Sequence, residues 1–342
     1  MTSSDWLPDA SALEHLFELA GAAADDAAIG LLDADGRLVA GRLPMPAPAR
    51  VQPLSLEDRT VGSVVASDAV RPELVALVAS ALELQVAAAA DHAARARLAN
   101  ELAIGRRIQL ALVPRRFPDV AGWTFAAAYE PAQEVGGDLF DAFFLRGRSD
   151  QVGLLVADVT GKGIPAALAM ADARALLHAA TDNATGPGDA LERVNRIIVG
   201  ERVGALPLTV ALVVLEPGSG ALRYAIAGHE PPLVARCAGG VEPLLAGGPI
   251  MGLFGDARYE EHEGRLEPGD ALVLYTDGVT DARDVERRFY GDERLLAEVG
   301  GVCGRPAAAV TAAISGDVRA FRGDAEPYDD LTLLVAERHR GA

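Results

Sequence analysis

Between Pro72 and Pro114 the chain contains no other proline and a single glycine, Gly105. A proline is tolerated in the first turn of a helix, whereas a later one removes a donor and stops it. Residues 71–113 are therefore expected to form one long helix, and whatever precedes and follows it must fold as separate units. Leu74, Leu77, Ala81, Leu84, Ala88, Leu98, Leu102 and Gly105 advance in steps of three and four, as in a helix-pairing seam. Asp91 and Arg95 fall in that register and interrupt it. The reading favours a parallel dimer helix over one packed only on its own domain. Glu83 and Gln85 break the most apolar stretch, Leu74 to Ala90, which argues against a membrane span.

Upstream, "AAIGLLDADGRLVAG" has two short apolar runs around an Asp35-Gly36 turn, and "VQPLSLEDRTVGSVVAS" repeats the pattern around "EDR". With a helix at the N-terminus and a proline-rich loop, "RLPMPAPAR", residues 1–70 resemble a small sensory domain of the GAF or PAS kind. Downstream, residues 114–342 alternate strands such as "DLFDAFFL", "QVGLLVADV", "DALVLYTD" and "LTLLVAER" with helices near 164–181, 187–200 and 306–322. Turns rich in Gly, Pro and Ser join neighbouring strands, as in "EPGSGAL". Hairpins with clustered helices predict an α+β layered fold, not a doubly wound parallel sheet.

The formal net charge of −18 excludes a general nucleic-acid binder, which needs basic residues to displace counterions. It likewise argues against docking on an anionic membrane. The N-terminus shows no basic segment followed by an apolar core, so no signal peptide is expected. Cys237 and Cys303 are too few and too far apart in sequence for a disulfide framework or a zinc site; they are expected to be ordinary thiols in a reducing, cytoplasmic compartment.

Asp138, Asp158 and Asp277 each lie at the end of an apolar strand beside glycine, in "EVGGDLFD", "LLVADVTGKG" and "LVLYTDGVTD". Asp329-Asp330 opens the last strand in "YDDLTLLVAE". A lone aspartate at such a place usually caps a turn, as is expected of Asp270 in "LEPGDALVLY". Four such sites from distant parts of the chain can instead converge, and gathered carboxylates need a cation. Hard oxygen donors suit Mg²⁺ or Mn²⁺, and two such ions can activate a water and neutralise a phosphoryl group. "VADVTGKGIPAALAMA" is not a nucleotide loop, because Val156 stands where a P-loop needs its first glycine and Gly163 where it needs Ser or Thr.

In this order, "ELAIGRRIQLALVPRRFP", "YEPAQEVGGDLFD", "VADVTGKGIPAALAMA", "AGHEPPLV", "GGPIMGLF", "LEPGDALVLYTDGVTDARD" and "DDLTLLV" resemble the SpoIIE/RsbU-type branch of the metal-dependent protein-serine/threonine phosphatases, which have the protein phosphatase 2C-like fold. The resemblance covers residues 100–337. It implies a four-layer αββα sandwich at 114–342, preceded by the small α/β domain and the helical linker. It also implies two Mn²⁺ or Mg²⁺ ions. Asp158 would bridge them, and Asp138 and the Val159 carbonyl would complete one shell. Asp277 and Asp329 would hold the other ion, with Asp330 as the alternative to Asp329. Asp158 and Asp277 are thus the expected catalytic pair, and a water activated by the ions would attack phosphorus in line.

The branch implies a phosphorylated STAS-domain anti-anti-sigma factor as substrate, with an unidentified signal acting on residues 1–70. The alternative is a pseudophosphatase scaffold that binds its partner without turnover; a calcium-stabilised sensor without chemistry is a further rival. Thr160 stands where many relatives have a histidine suggested as general acid, the relatives' phosphate-binding arginine has no clear counterpart, and Ala227 replaces a frequent Asn. His229 in "AGHEPPLV" is expected to fix its turn, Lys162 to be a turn residue or to touch substrate phosphate, and Asp141 and Asp281 to be supporting or surface acids.

Overall fold

The computed structural model describes residues 28–41, 50–56, 59–114, 116–133, 135–201 and 206–341. The expected N-terminal helix and most of the proline-rich loop lie outside these residues. The chain divides into two compact units, Met1–Glu101 and Leu102–Ala342.

In the first unit, β1 (Ile29–Asp33), β2 (Leu38–Gly41), β3 (Arg50–Leu56) and β4 (Arg59–Ala66) form an antiparallel sheet in the order β2-β1-β4-β3. The β1–β2 turn forms where Asp35-Gly36 predicts it. The Asp33 carboxylate accepts the amides of Asp35 (2.9 Å) and Arg37 (2.8 Å), and Gly36 takes a φ of 77°. Helix α1 runs from Pro72 to Leu112. Its Val75, Val78, Ala79 and Leu82, at helical spacing, pack with Ile29, Leu31, Leu54 and Val64. The start of the helix therefore belongs to the core of the small unit and is more than a linker. On other positions of the same stretch, Leu77 and Leu84 stay 66% and 73% exposed. By length and composition alone, Pro72–Arg97 is apolar enough to cross a membrane.

The second unit has two antiparallel sheets. One, in the order β11-β10-β13-β14-β5, uses β5 (Trp123–Glu130), β10 (Leu233–Ala235), β11 (Val241–Pro243), β13 (Ala271–Tyr275) and β14 (Leu331–Arg338). The other, β12-β9-β8-β7-β6, uses β6 (Asp138–Leu145), β7 (Arg148–Val159), β8 (Leu208–Glu216), β9 (Ala221–Ala227) and β12 (His262–Arg265). Period-2 alternation sorts the side chains. Val152, Leu154, Val156, Ala211 and Val213 meet Leu272, Leu274 and Leu334 between the sheets. The intervening Leu155, Ala157, Val159, Val210 and Leu212 pack under α2 (Ile164–Asn183) and α3 (Pro187–Glu201) through Met170, Leu177, Leu191 and Val194. Val273, Tyr275, Leu333 and Val335 pack under α4 (Gly291–Gly300) and α5 (Ala307–Arg322) through Leu295, Val310 and Ile314. The result is the αββα order of layers. Because both faces of the central strands are buried, "GLLVA" and "VALVV" are continuously apolar.

Cys237 and Cys303, expected as free thiols, form a disulfide with Cα atoms 5.1 Å apart. Cys237 follows β10 and Cys303 follows α4, and the packing of α4 on the β10–β13 sheet brings the two loops together. Their separation of 66 residues conceals this in the sequence. The free-thiol argument for a reducing compartment falls with it.

Candidate metal centre

Asp138 opens β6 and Asp158 nearly closes β7, and the antiparallel register sets the two directly opposite each other. The other sheet ends at the same edge: β13 runs into Thr276-Asp277, and Asp329-Asp330 leads into β14. Asp138 ties the sheets together, because its Oδ2 accepts hydrogen bonds from the Thr276 hydroxyl (2.8 Å) and the Thr332 hydroxyl (2.5 Å). Two glycines permit the approach. A Cβ on Gly137 would stand 2.7 Å from the Val159 carbonyl oxygen, and one on Gly278 would overlap the backbone carbonyl of Asp330. The glycines beside the acids are therefore steric necessities of the edge.

The tandem acids divide their work. Asp330 is buried, with Oδ1 accepting the amide of Ala132 and Oδ2 the amide of Gly137, each at 2.7 Å. Its carboxylate clamps the "PAQEVGG" loop to the start of β14. Asp329 is more open, 3.2 Å from the Lys162 ammonium, which also donates to the Tyr328 carbonyl at 2.9 Å. Lys162, the only lysine of the chain, sits between Gly161 (φ 98°) and Gly163 (φ 80°), whose left-handed backbone turns the segment sharply after β7.

The carboxylates strain against one another. Burial, followed by the charges of Asp277, Asp329 and Asp330, pushes Asp158 up to about 7. Burial and then Asp158 and Asp330 hold Asp138 well above the usual carboxylate range. Asp277, at the open rim, is raised by desolvation and by Asp329 and Asp281. Sequence reasoning did not foresee that Glu230 joins this field: burial and then Asp292, Asp277 and Asp281 raise its carboxyl. Glutamate in a Gly-His-Glu-Pro-Pro turn carries no signal that it will face acids from the loop after β13 and from the first turn of α4. Lys162 opposes the field at both Asp158 and Asp277.

Other candidates resolve differently. His229 is half-buried, with Nε2 3.0 Å from the Tyr275 carbonyl and Nδ1 2.7 Å from the Thr209 hydroxyl. A carbonyl can only accept, so Nε2 carries the proton and Nδ1 accepts. Burial holds the ring down at about 4. It is a neutral strut between the sheets and no acid. Asp141 is buried against α2, paired with Arg174 (2.6 Å) and His178 (2.8 Å). Asp270 accepts the amides of Glu267 and Cys237 and pairs with Arg236, as a turn residue should.

The donor set is all oxygen, and its negative charges raise the proton affinity of Asp138, Asp158 and Asp277, which is the chemistry a hard divalent cation relieves. The residues fit such ions in kind. Among the described residues no three His, Cys, Asp or Glu side chains are drawn together tightly enough to hold an ion as they stand.

Comparison with known proteins agrees with this architecture. Residues 148–339 match the family model for stage II sporulation protein E. The chain is 33% identical over 224 residues to protein IcfG of Synechocystis sp., covering 57% of this chain and 35% of the relative. It is 28% identical over 185 residues to the phosphoserine phosphatase RsbU of Bacillus subtilis, covering 54% of each. It therefore spans about a third to a half of the length of these curated relatives. Among solved structures, the SiaA-PP2C domain of Pseudomonas aeruginosa superposes with a TM-score of 0.64 at 23% identity, covering 72% of this chain and 98% of that domain. With that family match across more than half of its residues, and with the phosphatase-type sandwich that the SiaA domain shares, the chain belongs to the SpoIIE family.

Proposed function

We propose that this chain is a divalent-metal-dependent protein-serine/threonine phosphatase. The observation that carries the reading is the edge itself, where Asp138 and Asp158 face each other in register while Asp277 and Asp329 arrive from the second sheet. Asp158 would lie between two ions, with Asp138 and the Val159 carbonyl toward one and Asp277 and Asp329 toward the other. Asp330 is assigned to the loop clamp, because both its oxygens are taken by backbone amides. Bound Mn²⁺ or Mg²⁺ would supply an activated water and neutralise phosphoryl charge.

The chain's own groups do the rest. Thr276 and Thr332 hold the Asp138 carboxylate still. Asp158, lifted to about 7, is a carboxyl that would exchange its proton for a bound cation. His229 is committed to its strut and takes no part in proton transfer.

The substrate class proposed is a phosphoserine or phosphothreonine on a STAS-domain anti-anti-sigma factor, in keeping with the similarity to RsbU. Residues 1–70 would receive a signal and α1 would pair two chains, for which the exposed Leu77 and Leu84, one heptad apart, supply an apolar stripe. The scaffold reading draws on one observation, the ion pair of Lys162 with Asp329. The test is phosphate release from a serine-phosphorylated STAS-domain protein by the full chain with manganese, with magnesium and with chelator. Metal-dependent release is expected. Binding of the phosphoprotein without release in either metal would favour the scaffold.

A further inference from the structure

Arg283 lies six residues beyond Asp277, in the loop that follows β13, and is half-buried. Its guanidinium carbon sits 3.5 Å from the centroid of the Tyr328 ring and 4.6 Å from that of Phe289. Its Nε is buried and has no hydrogen-bond partner. Among the described residues Arg283 makes no ion pair either, although the chain has 49 acids and Asp277, Asp281 and Asp284 share its loop. Asp284 is engaged elsewhere: it pairs with Arg288 at 2.6 Å and accepts the amides of Glu286 and Arg288. That carboxylate shapes a tight turn, with Arg287 at a φ of 64°, and an isolated bridge between Arg283 and Phe289 closes it. The turn thus fixes Arg283 without satisfying it.

Such an arrangement holds a guanidinium by its faces and leaves its edge donors free. Stacking on aromatic rings restrains the plane of the group, and the planar fork of N–H donors matches two oxygens of a phosphoryl group. Tyr328 directly precedes Asp329, and Lys162 lies against the same ring at 5.6 Å. Lys162 is already committed to Asp329 and to the Tyr328 carbonyl. Among the described residues, Arg283 is a cation stacked beside Asp329 that has no anion of its own.

We propose that Arg283 binds the phosphoryl group of the substrate monoester, with Tyr328 and Phe289 holding the guanidinium in the plane that recognition requires. The inference rests on the phosphatase reading for its substrate and deepens it. The binding itself can be tested without turnover.

The test uses the full chain with manganese, comparing wild type with Arg283→Ala and Arg283→Lys. Four quantities are measured: KM and kcat for p-nitrophenyl phosphate, the inhibition constant of inorganic phosphate, and the calorimetric affinity for inorganic phosphate. A charge-assisted bidentate contact predicts that Arg283→Ala raises KM and the inhibition constant about tenfold or more. The corresponding change in kcat is expected to stay within about threefold, since a contact made equally in ground and transition states moves KM alone. Arg283→Lys keeps the charge and loses the fork, and should fall between the two. If KM, the inhibition constant and calorimetric affinity all stay within about twofold of wild type, or if only kcat falls, Arg283 is not the phosphoryl-binding residue.

Should wild type turn over no substrate, the phosphatase reading fails, and calorimetry still decides on Arg283. Phosphate binding weakened in Arg283→Ala sustains the inference. Equal binding, or none by wild type, overturns it. Thermal melting of each variant checks the fold, and Arg283→Lys carries the comparison if the alanine variant melts early.

Discussion

At the scale of single residues, the candidate centre is a balance between one lysine and a ring of acids. Lys162 sits on Asp329 and lowers the proton affinity of Asp158 and Asp277. An incoming divalent ion would compete with that ammonium for the same oxygens. Lys162→Gln should therefore bind manganese more tightly at pH 8, above the value of about 7 at Asp158, by up to about fivefold if the exposed pair is worth no more than ~1 kcal/mol. Isothermal titration of the metal-free protein measures this, and weaker binding in the variant would show that Lys162 organises the acids instead of opposing metal. The sequence marks Lys162 as unusual and leaves open whether it is a turn residue or a phosphate contact; its pairing with Asp329 crosses 167 positions of chain and has no local signature. Arg283 was hidden for the same reason, since its partners Phe289 and Tyr328 are aromatic and one of them is remote.

At the scale of elements, strand-end acids beside glycine were legible because both features are local. "EVGGD" and "TDG" need their glycines where another chain segment presses close, and the acids come with them. The central strands were legible from unbroken apolar runs. The edge strand His262–Arg265 is largely exposed and the strand Val241–Pro243 very short, so neither has an apolar pattern to detect. Helix α4 was missed because only Leu295 and Val299 are buried in a short charged segment. The disulfide was missed because it joins two loops that only the packed sandwich brings together. For α1, the long run between prolines predicts the helix, and the structure adds that its first turns are core. If Leu77 and Leu84 pair two chains as proposed, Leu77→Asp with Leu84→Asp should convert a dimer to a monomer in sedimentation experiments while leaving the small unit folded. A wild-type protein that is already monomeric at high concentration would remove the dimer helix from the account.

At the scale of the molecule, the concentration of acid at one edge makes stability depend on pH and metal together. Asp158 takes up its proton at about 7 in the fold and near 4 in the unfolded chain. Over that interval the native state binds more protons, so stability declines as pH rises. Asp138, Asp277 and Glu230 are raised as well and act in the same direction. His229, held at about 4, acts oppositely, and most of its contribution is in place by the free imidazole value of about 6.5. Between pH 6.5 and 8 the raised carboxyls outweigh what remains of the His229 effect. In chelator, the melting temperature should fall across this range by on the order of 5 °C, and excess manganese at pH 8 should restore it. A metal-free melting temperature that rises over the same interval would mean that the acids are not gathered as described.

Asp158, at the end of β7, is proposed as the centre of a metal site that hydrolyses phosphate monoesters. The most direct measurement is manganese-dependent hydrolysis of p-nitrophenyl phosphate by wild type and by Asp158→Asn, with manganese binding to both followed by calorimetry. Wild type is expected to turn over substrate, and chelator to abolish the turnover. In Asp158→Asn a loss of about a thousandfold or more in kcat/KM is expected, with weakened or absent metal binding. Undiminished turnover and unchanged metal affinity in Asp158→Asn would contradict this assignment.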